Sequence, residues 1–464
     1  MSSTRAWAER SFGGAELGDE RRTRRLVEMA HRAVLAPAGQ VTQVFRTAAQ
    51  RQGAYDFLEH DQVPVRGVGE ALFVATARAS RDQARVMVAL DGTSLTLTDH
   101  KEAKGFGRIG AINKGAQGLK LINAIALNDH GVPIGVAEQG WWSRFERVRK
   151  RSYRPLAQRE SARWRDAVSA IGSRFAEHAP NTKLHFLADR EADATLLLRT
   201  LLNAGHEFTI RSNATRNVQI RSERRPLRAV LARLPVLARI KVEMPATDRR
   251  EARQAHLDIR AARLPVVLRD HYQKTRRTSQ LTVIWAHERR RSFGVTPLDW
   301  VLLTNVPATS AAAAYAAVRR YSFRWRIEDF HRTWKSGLCC VEQSQLRSTN
   351  AVIKWATILA AVASRAERLR HRYRSEPDAA ASDEFTADEL EAIVFLANEG
   401  RSTELVSSAD LRLAESIRLI ADLGGYVGNR GSGPPGAITI SRGLERVLFA
   451  SEILSRLRRA GRLR

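Results

Sequence analysis

The apolar positions of this chain change period along its length, from helix to strand and back to helix. In ERRTRRLVEMAHRAV, the residues Leu26, Val27, Met29 and Ala30 interrupt a basic run and predict a helix with one apolar side. RTAAQRQGAYDFLEH continues the helical region to about residue 66, with Arg46, Gln50 and Arg51 ahead of Tyr55, Phe57 and Leu58. From Ala84 the pattern alternates. Val86, Val88 and Leu90 in ARVMVALDGTSLTLTD predict a strand. GLKLINAIALNDHGVPIGVAEQ predicts two strands around the turn Asn128-Asp129-His130-Gly131. SARWRDAVSAIGSRFAEHA is a helix, TKLHFLADREADATLLLRTLLNAG a strand running into a helix closed by Gly205, and HEFTIRS another strand. That order predicts an α/β domain with a mixed sheet.

Residues of about 213 to 305 are strand-rich: VQIRS, ARIKVEMPA, AHLDIRAA, SQLTVIWAH and DWVLLTNV, with LRAVLARLPVLA ambiguous. They predict an antiparallel β insertion. Helix returns at Ser310, with a break near Tyr321, and NAVIKWATILAAVASRAERLRHRYR is helical. SEPDAAASD is a polar linker. Thr386 and Glu389 then form a capping box that opens a further helix. LRLAESIRLIADLGG and LERVLFASEILSRLRRAGRLR complete a helical tail around the loop GNRGSGPPGA.

Length and charge sharpen this picture. A chain of 464 residues suggests two or three domains. Lys and Arg number 76 against 49 Asp and Glu, a net +27 that calls for a polyanionic partner, above all nucleic acid. No run of about 18 apolar residues exists, and no segment joins a basic face to a broad apolar stripe, so a membrane partner is not expected. The N-terminus MSSTRAWAERSFGG lacks the apolar core of a signal peptide. Cys339 and Cys340 are the only cysteines and are adjacent, which excludes a disulfide framework and a four-thiolate zinc site. An intracellular, reduced protein is expected. No phosphate-binding Gly-rich loop and no G-x-S-x-G elbow is present, so neither a nucleotide-driven enzyme nor an elbow-type hydrolase is indicated.

Candidate chemistry concentrates in YSFRWRIEDFHRTWKSG, Tyr321 to Gly337. At about 100° per residue, Tyr321, Arg324, Glu328 and Lys335 fall on one stripe and Phe323, Ile327, Phe330 and Trp334 on the other. Spacing alone favours the plainer reading of the polar stripe, a solvated face in which Glu328 pairs with Arg332. A Glu among phosphate-binding cations makes sense if it holds a divalent metal against the same phosphate. Metal-assisted phosphodiester chemistry commonly uses two Mg2+ ions about 3.5–4 Å apart, and such ions want several carboxylate oxygens. Asp91, where the alternation ends, and Asp189, after the strand LHFLA, are the candidate partners. Asp91-Gly92 alone could be a turn, and Asp189 alone a helix N-cap. Glu191 and Asp193 are alternative carboxylates beside Asp189.

Tyr321, Arg324, Glu328 and Lys335 form Y-x2-R-x3-E-x6-K, which resembles the signature of the insertion-sequence-4 family of transposases. LADREADA and DGTSLTLTDH look like that family's other acidic motifs. WAERSFGGAELGDERRTRRL and RQGAYDFL look like its DNA-binding domain. The resemblance implies a ribonuclease H-like catalytic core with a β insertion between Asp189 and Glu328, flanked by N-terminal and C-terminal helical domains. The expected boundaries are 1–66 for DNA binding, 67–370 for catalysis and 371–464 for dimerisation. It implies that Asp91, Asp189 and Glu328 hold two Mg2+ ions, with Mn2+ as a substitute. Arg324 and Lys335 would hold phosphates, Tyr321 and Arg211 would contact the DNA end, and Trp300 would receive a flipped base. Core packing for Trp300 and a surface charge for Arg211 are the plainer alternatives. The implied partners are double-stranded DNA, as transposon ends and target, and a second copy of the chain in a synaptic homodimer. No nucleotide cofactor is implied. A cytoplasmic, nucleoid-associated bacterial enzyme would follow. A structure-selective ribonuclease H-like nuclease, or a catalytically retired DNA-binding regulator, are the rival readings.

Overall fold

A computed structural model describes residues 3–99, 104–110, 115–144, 160–213, 215–244, 253–269, 275–289, 296–399, 406–407, 411–428 and 433–462. The N-terminal part is helical: α1 (Ser3–Phe12), α2 (Glu20–Leu35), α3 (Val41–Val44), α4 (Ala48–Glu59) and α5 (Val65–Ala79). Asp19 caps α2 by accepting from the Arg21 amide, and the Leu26, Val27, Met29 and Ala30 side of that helix is buried. Thr47 and Gln50 form a capping box on α4. The Gln50 side chain is thereby bonded to its own chain, accepting from the Arg46 and Thr47 amides.

The central part runs β1 (Arg85–Thr96), β2 (Gly107–Arg108), β3 (Gln117–Leu127), β4 (Pro133–Trp142), α6 (Glu160–His178), β5 (Lys183–Ala188), α7 (Thr195–Asn203) and β6 (Glu207–Arg211). The β3–β4 turn is built as its residues dictate. The Asn128 side chain accepts from the amides of His130 and Val132, and Gly131 takes φ of 74°. The strand-rich stretch follows as β7 (Asn217–Ile220), β8 (Glu223–Pro226), a short α8 (Leu227–Leu231), β9 (Ala238–Met244), β10 (Arg253–Arg269), β11 (Arg276–Glu288) and β12 (Asp299–Thr304). The ambiguous LRAVLARLPVLA thus contributes only one short helix, and the end of ARIKVEMPA lies outside the described residues.

Among the described residues, all twelve strands join one mixed sheet in the order β2-β3-β1-β5-β6-β12-β11-β10-β7-β8, with β4 beside β3 and β9 beside β10. β1 pairs antiparallel with β3 and parallel with β5, and β5 pairs parallel with β6. The β7–β12 block is antiparallel throughout and joins the rest where β12 meets β6. It extends the α/β sheet rather than forming a second one.

The remaining helices are α9 (Ala311–Ser322), α10 (Arg326–Lys335), α11 (Thr349–Ser375), α12 (Ala387–Asn398), α13 (Leu413–Leu423) and α14 (Ala437–Arg459). Ser310 caps α9, and the Thr386–Glu389 capping box opens α12 as its sequence predicts. Part of the loop GNRGSGPPGA, residues 429–432, lies outside the described residues. Among the described residues no helix is long and apolar enough to cross a membrane.

One face of the sheet packs on α6 and α7 through Val86, Val88, Leu90, Phe186 and Phe208. The other packs on α10 and α11, in a core that also takes in helices from both ends of the chain. α11 is apolar nearly all round from Ala351 to Ala363, so it is buried nearly all round. It joins α4 by an exchange of charged groups. Lys354, 2% exposed, donates to the carbonyls of Leu58 and His60 at 2.9 Å each. Glu59 accepts from the Ser348 hydroxyl at 2.6 Å and the Arg347 amide at 3.3 Å, at the start of α11. Each charge suits the helix end it meets: a cation at the carbonyl end, a carboxylate at the amide end. The Lys354→Met substitution removes both donors and strands two carbonyls. It is expected to destabilise the protein by about 1–3 kcal/mol in denaturant-induced unfolding.

Candidate active site

Period-two alternation decides which way each strand acid points. On β1, Val86, Val88 and Leu90 face α6, so Met87, Ala89 and Asp91 face α10. On β5, Leu184, Phe186 and Ala188 face α6, so Leu187 and then Asp189 face α10. The parallel ladder of β1 with β5 ends at the pair Leu90 and Ala188. Asp91 and Asp189 are the next residue on each chain, side by side at the spacing of neighbouring strands, about 4.8 Å.

Two sequence expectations are corrected here. Asp91-Gly92 is neither a turn nor a strand end, because β1 continues to Thr96 and Asp91 pairs with Asn123 of β3. Asp189 does cap, but it caps a single 3-10 turn, Arg190–Ala192, by accepting from the Glu191 amide at 2.8 Å. The neighbouring alternatives also separate. Asp193 is clamped by Arg216 at 2.6 Å with its side chain fully buried, so it is already neutralised. Glu191 is exposed.

Glu328 comes from α10, across from the two aspartates. The segment Tyr321 to Lys335 is not one helix. α9 ends at Ser322, a 3-10 turn spans Phe323–Trp325, and α10 starts at Arg326. The tighter turn advances about 120° per residue and breaks the phase of a single helical wheel. The apolar stripe survives, with Phe323, Ile327, Phe330 and Trp334 all buried. The polar stripe does not survive whole. Tyr321, 2% exposed, packs edge-on against Trp300 with ring centroids 5.6 Å apart. Trp300 itself is 5% exposed, in the core cluster under α9. The expected pairing of Glu328 with Arg332 is also replaced. Glu328 accepts from Arg324 at 2.7 Å, and Arg332 pairs with Asp329.

The cations gather at the same place. Arg324 is buried beneath Glu328, with its guanidinium 5.2 Å from the Trp325 ring and 6.0 Å from that of Tyr321. Arg211 donates to the Asp299 carbonyl at 3.1 Å and, with Arg324, favours ionisation of the Tyr321 hydroxyl, although burial raises its pKa overall. Lys335 reaches Thr93 at 3.4 Å, two residues along β1 from Asp91, and Glu342 at 3.6 Å. The fold therefore brings Asp91, Asp189, Glu328, Arg324, Lys335, Arg211, Tyr321 and Trp300 to one face of the sheet, with the two aromatic rings covered.

Sequence reasoning missed two residues there. His331 is buried one turn after Glu328, its Nδ1 3.8 Å from an Asp91 oxygen; burial, Lys335 and Arg324 push its pKa down to about 3, so it is neutral. Its three-residue spacing from Glu328 was the available signal. Trp325 is 44% exposed and carries Arg324 on its ring, and only the break between the helices turns it outward.

Three carboxylates in a partly buried setting repel one another. Burial first, then Asp189 and Glu328, push the Asp91 carboxyl up to about 7, against the pull of Arg324. Such a set fits a divalent cation, which would relieve the repulsion and is bound by carboxylate oxygens. A more compact group also exists. Ligand atoms of Asp329, Glu367 and His371 lie within 4.8 Å of one another, but Arg370 sits 2.9 Å from Glu367 and 3.4 Å from Asp329, so a cation is already there.

Two family models match the chain. Residues 4–63 match the transposase DNA-binding family, and residues 160–364 match the transposase DDE domain. The second match contains Asp189 and Glu328 and begins after Asp91. A DDE domain implies dependence on a divalent metal, and the two matches support a DNA transposase that cleaves DNA with such a metal.

The raised Asp91 pKa has a consequence for stability. A folded-state value above the unfolded one favours the fold fully below pH 3.8, and that contribution is lost as pH rises through about 7. Asp91→Asn removes the loss. Without divalent metal at pH 8, the variant should be more stable than the parent by about 1–3 kcal/mol. Thermal melts should show the difference shrinking towards pH 4.

Proposed function

We propose that this DNA transposase is a cut-and-paste enzyme of the insertion-sequence-4 family, similar to the transposase of transposon Tn-five, acting on the inverted-repeat ends of its own element. The observation that carries the proposal is the pair Asp91 and Asp189, register neighbours at the end of the β1–β5 ladder, beneath Glu328 of α10. The strand order β4-β3-β1-β5-β6, with a helix-bearing crossover into each parallel strand, supports a ribonuclease H-like core. The antiparallel block β7–β12 between Asp189 and Glu328 supports the β insertion.

Asp91, Asp189 and Glu328 are the groups that would hold two Mg2+ ions. Bound there, such ions supply charge stabilisation to the attacking and leaving oxygens of an in-line displacement at phosphorus. The chain's own residues do the rest. Arg324 holds the Glu328 carboxylate in place and adds positive charge at the scissile phosphate. Lys335, tethered to Thr93 and Glu342, holds a second phosphate. Arg211 extends the cationic surface along the sheet. Tyr321 and Trp300 act on the DNA end, and because each covers the other, a flipped base reaches the Trp300 ring only when Tyr321 moves aside.

The reaction runs as four displacements. Water hydrolyses the transposon strand to leave a 3′-OH. That hydroxyl attacks the opposite strand to close a hairpin, water opens the hairpin, and the same 3′-OH joins target DNA. One site serves all four, with neither a covalent protein–DNA bond nor a nucleotide cofactor. Residues 1–66 recognise the ends, 67–370 catalyse, and 371–464 pair two copies in a synaptic homodimer. Support for that pairing comes from Phe395 of α12 and Phe449 and Ile453 of α14, which are large apolar side chains left exposed. A bacterial cytoplasmic site at the nucleoid suits the DNA substrate.

Glu328→Gln should abolish Mg2+-dependent nicking of plasmid-borne ends while leaving gel-shift binding to those ends intact. Nicking by the variant would exclude the metal role. A product joined to target separates a transposase from a nuclease. Affinity for end DNA should fall by about a thousandfold between roughly 50 and 200 mM salt, since many phosphate contacts release counterions. A flat salt profile would exclude a phosphate-dominated interface.

A further inference from the structure

Asp329 follows Glu328 directly, and their carboxylates leave α10 about 100° apart. Glu328 turns to Arg324 and the strand aspartates. Asp329 turns to α11, where it meets Arg370 at 3.4 Å and His371 Nε2 at 3.7 Å. Glu367 of α11, its side chain 1% exposed, pairs with Arg370 at 2.9 Å, lies 3.3 Å from His371, and accepts from the Thr333 hydroxyl of α10. Burial opposes ionisation of Glu367, but His371, Arg370 and Thr333 hold its carboxyl down at about 2. Asp329 and Thr333 are four apart on one helix, and Glu367 and His371 four apart on the other. Each pair therefore lies on one face.

Two carboxylates and an imidazole so close together suit a transition metal as well as an ion pair. Charge decides between them. Arg326, Arg370 and Arg374 all act electrostatically on both Asp329 and Glu367, and Arg332 pairs with Asp329 directly. Four guanidinium groups already answer two carboxylates, and a divalent ion would add to their mutual repulsion.

We infer that Asp329, held by Arg370 of α11 while its helix neighbour Thr333 is held by Glu367, is a positioning residue that sets the roll of α10 and thereby the place of the Glu328 carboxylate opposite Asp91 and Asp189. This rests on the metal-binding role proposed for Glu328. The apolar contacts of Ile327, Phe330 and Trp334 hold α10 down, but apolar attraction is non-directional and sets roll poorly. A roll of about 20° moves a group about 6 Å from the helix axis by about 2 Å. Metal ligands tolerate about 0.2 Å. The directional bonds of Asp329 and Thr333 supply what the core does not.

The test is a Mg2+ titration of end nicking by full-length Asp329→Asn, with Glu328→Gln run beside it. The expected result is a half-saturating Mg2+ concentration raised about tenfold or more, as for other groups that orient metal ligands. Binding to end DNA in EDTA stays unchanged, and Asp329→Glu recovers part of the shift. Arg370→Lys keeps the charge without the guanidinium fork and gives a smaller shift in the same direction, so the outcome does not depend on one variant folding. An unchanged half-saturation in both variants, with only the maximal rate reduced, overturns the inference. So does calorimetric binding of Zn2+ or Mn2+ to the Glu328→Gln protein that disappears on adding His371→Ala. Nicking by Glu328→Gln itself overturns the metal reading and this inference together, whereas an inactive Glu328→Gln beside an unshifted Asp329→Asn overturns this inference alone.

Discussion

The parallel pairing of β1 with β5 is the constraint on which the site depends. It ends at Leu90 and Ala188, and the residue that follows each is an aspartate on the α10 side. Hydrogen-bonded strands cannot move apart, so the two carboxylates are held together although they repel. Glu328 adds a third from above. The cost appears in Asp91, whose carboxyl is pushed up to about 7. Acids held against one another in this way suit a divalent cation, and the DDE-domain match over residues 160–364 implies dependence on one.

The second constraint is α11, which ties the molecule together. Its middle is buried against α10, the sheet and the N-terminal helices. Lys354 and Glu59 bind its start to the end of α4, and Trp355 donates to the Gly39 carbonyl at 2.9 Å. Trp334 of α10 donates to the Ala356 carbonyl at 2.8 Å. The matched DNA-binding segment and the helix carrying Glu328 therefore meet on one buried rod. Described helices from both ends of the chain share its core, so they are not packed separately from the sheet.

Two acids one residue apart show how a helix divides labour. Glu328 is 42% exposed and bonded to one arginine, so it remains open to a ligand. Asp329 is largely buried and enclosed by arginines, so it is not. Their residue types are nearly the same, and the neighbouring helix makes the difference.

By its own pattern the chain determined the order of elements. Alternation at Val86, Val88 and Leu90 fixed a strand, the Asn128–Gly131 turn fixed a hairpin, and Thr386 with Glu389 fixed a helix start, because each depends on residues near in sequence. The +27 charge pointed to a polyanionic partner, whereas the spacing of Arg324, Glu328 and Lys335 alone favoured a solvated ion-paired face until the resemblance gave it a phosphate role. Tertiary structure decided the rest. Whether Asp91-Gly92 turned or continued depended on β3, a partner some thirty residues away. The burial of Tyr321 against Trp300 depended on a 3-10 turn that resets helical phase, and on an insertion strand lying under it. That Asp329 was enclosed while Glu328 stayed half exposed depended on Glu367 and Arg370, which local spacing cannot relate to either, since contacts between distant segments are set by packing and not by period.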